Sequence, residues 1–328
     1  MKSLVTGGAG FIGSNLVDQL VKIGHKVIVL DNFSTGRKSN LSHHTKKNVK
    51  TIKIDISGNK KLDGYFKGVD YVFHLAGLVD IIPSIENPNK YFKSNVVGTL
   101  NILQAAKRSS VKKFIYAGSA SCYGTPEKYP TNEKSKIDPQ NPYALTKYLG
   151  EQLVIHWAKV YNMPNVSLRF FNAYGLRSST KGTYGSVFGI FLAQKLAKKP
   201  LTIVGDGKQT RDFIHVYELV DAIIKTVRKG KNGEIYNVGS GKEISINFIA
   251  NLIGGSKFNI PKRLGETDRS LADISKIKEH LNWQPQITIE EGIKKLLKNI
   301  SNWEEAPVWK PKKIKNVNKT LFEHLNKK

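Results

Sequence analysis

Tyr143 and Lys147 stand four residues apart in NPYALTKYLG, Asn141 to Gly150, directly after a proline. On a helix this spacing puts both side chains on one face, one turn apart. A free phenol has a pKa near 10, so the phenolate is scarce at neutral pH. An ammonium one turn away favours it, and each unit of pKa is worth about 1.4 kcal/mol. Ser119 ends the β-rich run VKKFIYAGS upstream and can orient the oxygen on which the phenolate acts. The chemistry open to such a trio is removal of a hydroxyl proton while hydride leaves the same carbon. Taken alone, Y-x-x-x-K is common and describes a plain surface helix; its setting must supply the rest.

The setting begins at TGGAGFIG, which spaces Gly7, Gly10 and Gly13 by three and also holds Gly8-x-Gly10-x-x-Gly13. It follows a strand-like run and opens FIGSNLVDQLVKIG, where Phe11, Ile12, Leu16, Leu20 and Ile23 fall at helical spacing and Gly24 can end the helix. Such glycines allow a tight turn and let the backbone approach a pyrophosphate, while the helix N-terminus offers N–H groups. The next strand, KVIVLD, ends at Asp31, where a carboxylate can bind both ribose hydroxyls and repel a 2′-phosphate. The expected cofactor is therefore NAD rather than NADP, although Arg37 and Lys38 lie nearby. Asp55 and Ile56 are placed at the adenine edge, and Leu75, Ala76 and Gly77 of HLAG at the pyrophosphate side. Ser119, Tyr143 and Lys147 are placed at the nicotinamide side, whose positive ring would further favour phenolate. Phe11, Ile12, Asn32, Ser34, Asn95 and Phe170 complete the cofactor-contacting set. His74 reads as a strand-end core residue rather than a base.

Elements that could position these groups follow from the pattern. VKTIKID, VDYVFHLAG and VKKFIYAGS recur at the spacing of βαβ units. Continuous apolar strands imply burial on both faces. The fold class is α/β: a Rossmann, doubly wound parallel sheet with a smaller C-terminal α/β substrate lobe. Two long helices are expected, from about Asn87 through YFKSNVVGTLNILQAAKRS and from Pro142 through YALTKYLGEQLVIHWAKVY, each apolar round much of its surface. The NAD-binding domain is set at 1–171, with re-entry of the chain at about 207–238; the substrate lobe at 172–306; and a basic arm at 307–328.

Bulk features exclude several classes. The chain has 328 residues, 40% hydrophobic, with no membrane-length apolar run and no leader-like N-terminus. Its single cysteine, Cys122, forbids an intrachain disulfide and suits a reducing cytoplasm. The net charge is +26, from 52 basic and 26 acidic residues. The lysines are dispersed, densest in the tail, and form no basic stripe interleaved with aromatics. A solvated basic surface is expected, with no specific nucleic-acid site and no membrane insertion. No residue is assigned to a metal.

TGGAGFIG, HLAG, NVVGTLNIL, SASCYG, YALTK, RFFNAYG, VGDGKQTRDFIHV and NVGSG together resemble the extended short-chain dehydrogenase/reductase family, nearest its nucleotide-sugar epimerases and dehydratases. The resemblance runs to about Pro285. It implies tightly held NAD, a UDP-sugar in the second lobe, and a homodimer built on a four-helix bundle of the two long helices. Dehydratases of the family carry an Asp-Glu pair after the catalytic Ser or Thr, and decarboxylases a glutamate; here stand Ala120 and Ser121. The implied reaction is then 4-epimerisation of a UDP-hexose, UDP-N-acetylhexosamine or UDP-glucuronate, with Tyr143 as base and NAD as hydride carrier. Alternatives are a dehydratase or an epimerase at another carbon, and, from another class, an NAD-binding relative acting as an RNA-binding or scaffold protein. By the same resemblance Ser121 touches substrate, Asn172, Arg211 and Arg263 hold the diphosphate, Glu266 the ribose, and Ser270 gates the sugar pocket. A small residue at Ser270 leaves room for a 2-acetamido or 6-carboxylate group. Val79 and Asp80 depart from the family pattern, as does the segment holding Arg177 and Thr180, two candidates for contact with an acidic sugar.

Overall fold

The computed structural model describes residues 1–178, 187–262 and 267–308. The first half is a chain of βα units: β1 (Lys2–Thr6), α1 (Phe11–Lys22), β2 (Lys26–Asp31), β3 (Val49–Lys53), α2 (Asp63–Phe66) and β4 (Tyr71–His74). Next come α3 (Ile81–Glu86), α4 (Pro88–Phe92), α5 (Gly98–Arg108), β5 (Lys113–Ser119), α6 (Pro142–Tyr161) and β6 (Asn165–Phe170). The second half holds β7 (Asn172–Tyr174), α7 (Val187–Leu196), β8 (Leu201–Val204), β9 (Thr210–Arg211), β10 (Phe213–His215), α8 (Val216–Lys229) and β11 (Glu234–Val238). It ends with β12 (Ile244–Ser245), α9 (Ile246–Ile253), β13 (Lys257–Ile260), α10 (Ser275–Leu281) and α11 (Ile289–Lys298).

Seven parallel strands form the central sheet in the order β11-β6-β5-β4-β1-β2-β3. This is the expected doubly wound sheet, extended by β11 after α8 returns across it. Alternate residues of each strand serve opposite faces. Val5, Val29, Phe73 and Ile115 meet Leu16 and Leu20 of α1 and Leu219 and Ile223 of α8. Leu4, Leu30, Val72 and Phe114 meet Ile102 and Leu103 of α5 and Val154 of α6. Burial on both faces explains why the strands read as continuous apolar runs. A separate core, with Phe188, Leu192, Ile249, Ile293 and Trp303, knits α7, α9 and α11 around β8 in the smaller lobe.

The two long helices differ. α6 is an unbroken run of 20 residues, started as its sequence predicts: Asn141 Oδ1 accepts from the Ala144 N–H at 2.9 Å, and Pro142 needs no donor in the first turn. The other begins at Pro88 under an Asn87 cap but passes through a π-helical turn, Lys93–Val97, before α5. That widened turn carries Asn95 to the cleft, and its amide makes three hydrogen bonds there, to Leu78 twice and to Thr146. Bonds off the helix thus accompany the irregularity that periodicity alone does not foretell.

One buried ion pair ties α6 to the sheet. Arg169 Nη2 on β6 lies 2.6 Å from Glu151 Oε1, with both side chains at most 3% exposed. Ser167 Oγ donates to the same carboxylate at 2.8 Å, and Arg169 Nη1 donates to the Tyr123 hydroxyl at 2.8 Å. Glu151→Gln leaves the guanidinium's charge unpaired in the core and is expected to lower folding stability by about 3–5 kcal/mol. Urea unfolding measures it; a loss no larger than that of the double variant Glu151→Met/Arg169→Met would show that the pair is not what holds α6.

Candidate active site

The cleft opens where the strand order reverses, between β1 and β4, the place where such sheets bind ligands. Gly7 turns with φ +68°, and a Cβ there would lie 2.8 Å from the Ala76 backbone. A side chain at Gly13 would run into the Gly7 carbonyl. Positions 7 and 13 are therefore packed too tightly for anything but glycine, and Gly10 stands at the N-cap of α1, which has no side-chain cap. Its first N–H groups and its dipole are left to a pyrophosphate, so the residues fit a dinucleotide. Phe11 and Ile12 form the first turn of α1.

Asp31 ends β2 with its carboxylate buried. Oδ2 accepts from the Ala9 N–H at 2.9 Å and Oδ1 from the Phe33 N–H at 2.7 Å. A carboxylate has about four acceptor positions, so room remains for ribose hydroxyls. Asn32 Nδ2 donates to Asp55 Oδ2 at 3.1 Å, while Asn32 Oδ1 accepts from the Ser34 N–H. The Ser57 hydroxyl, 2.6 Å from Asp55 Oδ1, holds that carboxyl below its ordinary pKa. Beside them a cavity of about 470 Å³ is lined by Asn32, Lys53, Ile54, Asp55, Gly58, Asn59 and Lys60. Lys53, Asn59 and Lys60 were not singled out from the sequence, because nothing in their spacing marks them. Ile56 itself is buried in the core beside this cavity, packed with α5 residues.

On the other side of the cleft a hydrogen-bonded chain fixes the end of β4. Thr6 Oγ1 accepts from the Ala76 N–H at 3.2 Å and lies 2.7 Å from His74 Nδ1. His74 Nε2 is 2.9 Å from Thr99 Oγ1, which donates to the Asn95 carbonyl. The Asn95 amide goes on to Leu78 and Thr146. These partners require neutral His74 with its proton on Nε2, and burial pushes its pKa down to about 3. His74 is thus the core residue the sequence suggested. Asn95, assigned to the cofactor, has its amide engaged by the Leu78 loop and α6 and so acts as a brace for Leu75, Ala76 and Gly77. Gly77 brings the backbone close: a Cβ there would lie 3.7 Å from Lys147 Nζ.

Two of the three candidate catalytic side chains, Ser119 and Tyr143, meet directly. Ser119 Oγ lies 2.9 Å from Tyr143 Oη and 2.7 Å from Ser121 Oγ. Phe170 is the register partner of Ser119 on β6. Lys147 is 5% exposed, with Nζ 4.4 Å from the centre of the Tyr116 ring. Burial pushes its pKa down to about 8, against the pull of Glu151 one turn further on. At Tyr143 burial raises the pKa, more than the bonds from Ser119 and Ser121 lower it.

Substrate-side residues are less gathered. Asn172, on β7, is exposed, and its N–H donates to the Asp212 carbonyl. Arg211 sits on β9 with Nη1 donating to the Thr210 carbonyl at 2.8 Å. Ser270 is half-buried. Arg263, Glu266 and Thr180 lie outside the described residues. Arg177 pairs with Asp18 at 2.7 Å, which turns it toward α1. Asp212, next to Arg211 in QTRDF, went unremarked in the sequence; buried, it accepts from the Gly241 and Ala272 N–H groups at 3.0 Å and holds the strand end that carries Arg211.

Comparison with known proteins adds the following. The sequence matches the NAD dependent epimerase/dehydratase family over residues 3–239. It is 36% identical over 317 residues to a UDP-glucose 4-epimerase of Mycolicibacterium smegmatis, covering 92% of this chain and 99% of that one. It is 33% identical to UDP-glucuronic acid decarboxylase 1 of Arabidopsis thaliana, covering 92% of this chain and 70% of the relative. Among solved structures, the UDP-glucuronic acid 4-epimerase of Bacillus cereus, in complex with UDP-glucuronic acid and NAD, superposes with a TM-score of 0.84 at 31% identity. That match covers 92% of this chain and 99% of the other.

The burial of Lys147 has a measurable signature. Its folded pKa of about 8 lies below the ~10.4 of an unfolded lysine, so between these values the unfolded chain binds the extra proton. This group therefore makes the folded state gain stability as pH rises through that window. With protein freed of nucleotide, the urea midpoint of wild type relative to Lys147→Met is expected to rise between about pH 7.5 and 9.5. Parallel pH dependences for the two would show that Lys147 titrates normally.

Proposed function

Because the chain belongs to the NAD dependent epimerase/dehydratase family, we propose that it is a UDP-sugar 4-epimerase. The observation that carries this reading is the Ser119–Tyr143 hydroxyl contact at 2.9 Å, backed by buried Lys147 and followed by Ala120 and Ser121. Neither of the last two is a carboxylate able to assist elimination or decarboxylation. The epimerases of M. smegmatis and B. cereus support the same choice.

In this reading Tyr143 takes the proton of the sugar 4-hydroxyl, and Ser119 orients that oxygen. Bound NAD supplies the acceptor for the hydride and its return. The Lys147 ammonium, one turn from Tyr143 in a site shielded from water, stabilises phenolate once the cleft is filled. The 4-keto sugar turns over and is reduced on its other face, while Tyr143 gives the proton back. Gly7, Gly10 and Gly13 cradle the pyrophosphate, Asp31 the ribose, and Asp55 with its neighbours the adenine. Asn172, Arg211 and Arg263 hold the substrate diphosphate, two cations suiting two phosphates, and Glu266 the uridine ribose.

The first lobe, 1–171, is assigned to NAD and 172–306 to substrate. Pairing of two chains through α4, α5 and α6 is supported by exposed Phe92, Leu145 and Val160 with half-buried Val96 and Leu100 alongside. A cytoplasmic setting is supported by the single cysteine, free and buried. Among the described residues no helix is long and apolar enough to cross a membrane.

Tyr143→Phe is expected to lower kcat by roughly 10²–10⁴-fold while bound NAD is retained. Chromatography of reactions with UDP-glucose, UDP-N-acetylglucosamine and UDP-glucuronate reads it out, and wild type should interconvert one pair without net NADH. Release of carbon dioxide or accumulation of a 4-keto-6-deoxy product would replace the reading with decarboxylase or dehydratase. Ser270→Tyr should depress turnover of a 2-acetamido sugar roughly tenfold more than that of a plain hexose, as bulk in a fitted pocket is costly. Equal losses would remove Ser270 from the sugar pocket.

A further inference from the structure

No residue was assigned to a metal from the sequence, yet the fold gathers three metal-ligating side chains away from the catalytic trio. Asp18 lies on α1, and His43 and His44 follow the short turn Lys38–Leu41. Asp18 Oδ1 is 2.9 Å from His43 Nε2 and 2.7 Å from His44 Nε2. One ligand atom from each residue lies within 4.8 Å of the others. The two rings stand 4.1 Å apart at 41°. The second carboxylate oxygen is engaged by Arg177 Nη1 at 2.7 Å, which fixes the orientation of Oδ1 toward the imidazoles.

We infer that Asp18, His43 and His44 form a binding site for a divalent transition-metal ion of the Zn2+ type. Two imidazoles and one carboxylate are the donor set such ions prefer, and bonds of ~2.0–2.2 Å in a tetrahedron place ligand atoms about 3.3 Å apart. The two Asp18–imidazole separations, 2.9 and 2.7 Å, need only a small spread to admit the ion. Each imidazole would ligate through Nε2, the atom that already faces Asp18 Oδ1. His43 is 48% exposed and His44 9%, which leaves an open side for entry and for a water as fourth ligand. Arg177 takes the part that outer partners of ligating carboxylates take elsewhere.

The site is structural. The segment between Asp31 and His44 is bonded to the glycine turn, as the Arg37 N–H and Asn40 Nδ2 both donate to the Ala9 carbonyl. An ion on Asp18, His43 and His44 joins the far end of that segment to the helix that starts at the same turn. It therefore braces the adenosine side of the cleft without touching Ser119, Tyr143 or Lys147.

The test uses the full chain without an affinity tag and with its nucleotide left in place. Equilibrium dialysis against ZnCl2 in a non-chelating buffer, read by elemental mass spectrometry, should give one Zn2+ per chain. His44→Gln and Asp18→Asn should each weaken binding roughly tenfold or more, and His280→Gln should leave it unchanged. His43→Gln, at a half-exposed ring, keeps the core intact and should show the same loss. Zn2+ should raise the thermal midpoint of wild type and not that of the three variants, because only the folded state offers the site. Absence of stoichiometric Zn2+, or equal binding by wild type, His43→Gln and His44→Gln, would overturn the inference.

Discussion

A lysine ammonium held out of water is the constraint around which the site is arranged. Lys147 reaches the cleft from α6 at 5% exposure, over the face of Tyr116 and beside the backbone of Gly77. Desolvation disfavours its charge, and the same helix one turn later carries Glu151, whose field restores part of what burial removes. The Glu151 carboxylate is in turn held in the core by the Arg169 guanidinium and the Ser167 hydroxyl of β6. α6 is thus anchored to the sheet by a charge whose effect extends back to Lys147 in the candidate site. Close approach of the helix requires Gly150, where a Cβ would lie 3.0 Å from the Asn95 carbonyl and would strike the Tyr116 hydroxyl.

Opposite this helix, the order of the sheet makes the cleft and small polar groups hold it open. The glycine turn after β1 and the backbone after β4 diverge at the switch point, and Thr6, His74, Thr99, Asn95 and Thr146 bridge β1, β4, the π-helical turn and α6 in sequence. Asn95, Thr146 and Lys147 lie buried beside this chain, whereas Ser119 and Tyr143 are half-buried and bonded to each other at 2.9 Å.

Much of this was legible in the sequence where a local rule dictates structure. Gly7 to Gly13, Asp31, the Asn141–Pro142 helix start and the strand runs each follow from steric or hydrogen-bonding demands within a few residues. What escaped the sequence depends on distance in the chain. The burial that raises the pKa of Tyr143 is contributed by many elements and is not visible in the Tyr-Lys spacing. Asn95 reads as a cleft residue, but only the fold shows its amide bonded to Leu78 and Thr146. Asp18 and the His43–His44 pair belong to no motif because α1, β2 and a turn separate them. Arg177, open in the sequence between a sugar contact and plain exposure, pairs with Asp18, a partner more than a hundred and fifty positions away.

The sheet's last strand has a consequence for how the chain is made. β11 pairs with β6 over Glu234–Val238, so the outer edge of β6 is covered by residues that follow the whole of α7, α8 and their loops. A ribosome delivers the glycine turn, Asp31 and the Ser119–Tyr143–Lys147 trio well before it delivers that cover. Until then β6 presents open backbone donors and acceptors, the kind of edge that recruits stray strands. Cover for the nascent edge therefore arrives later in synthesis than the candidate site residues, and a fragment ending near residue 171 would present an unfinished and adhesive sheet.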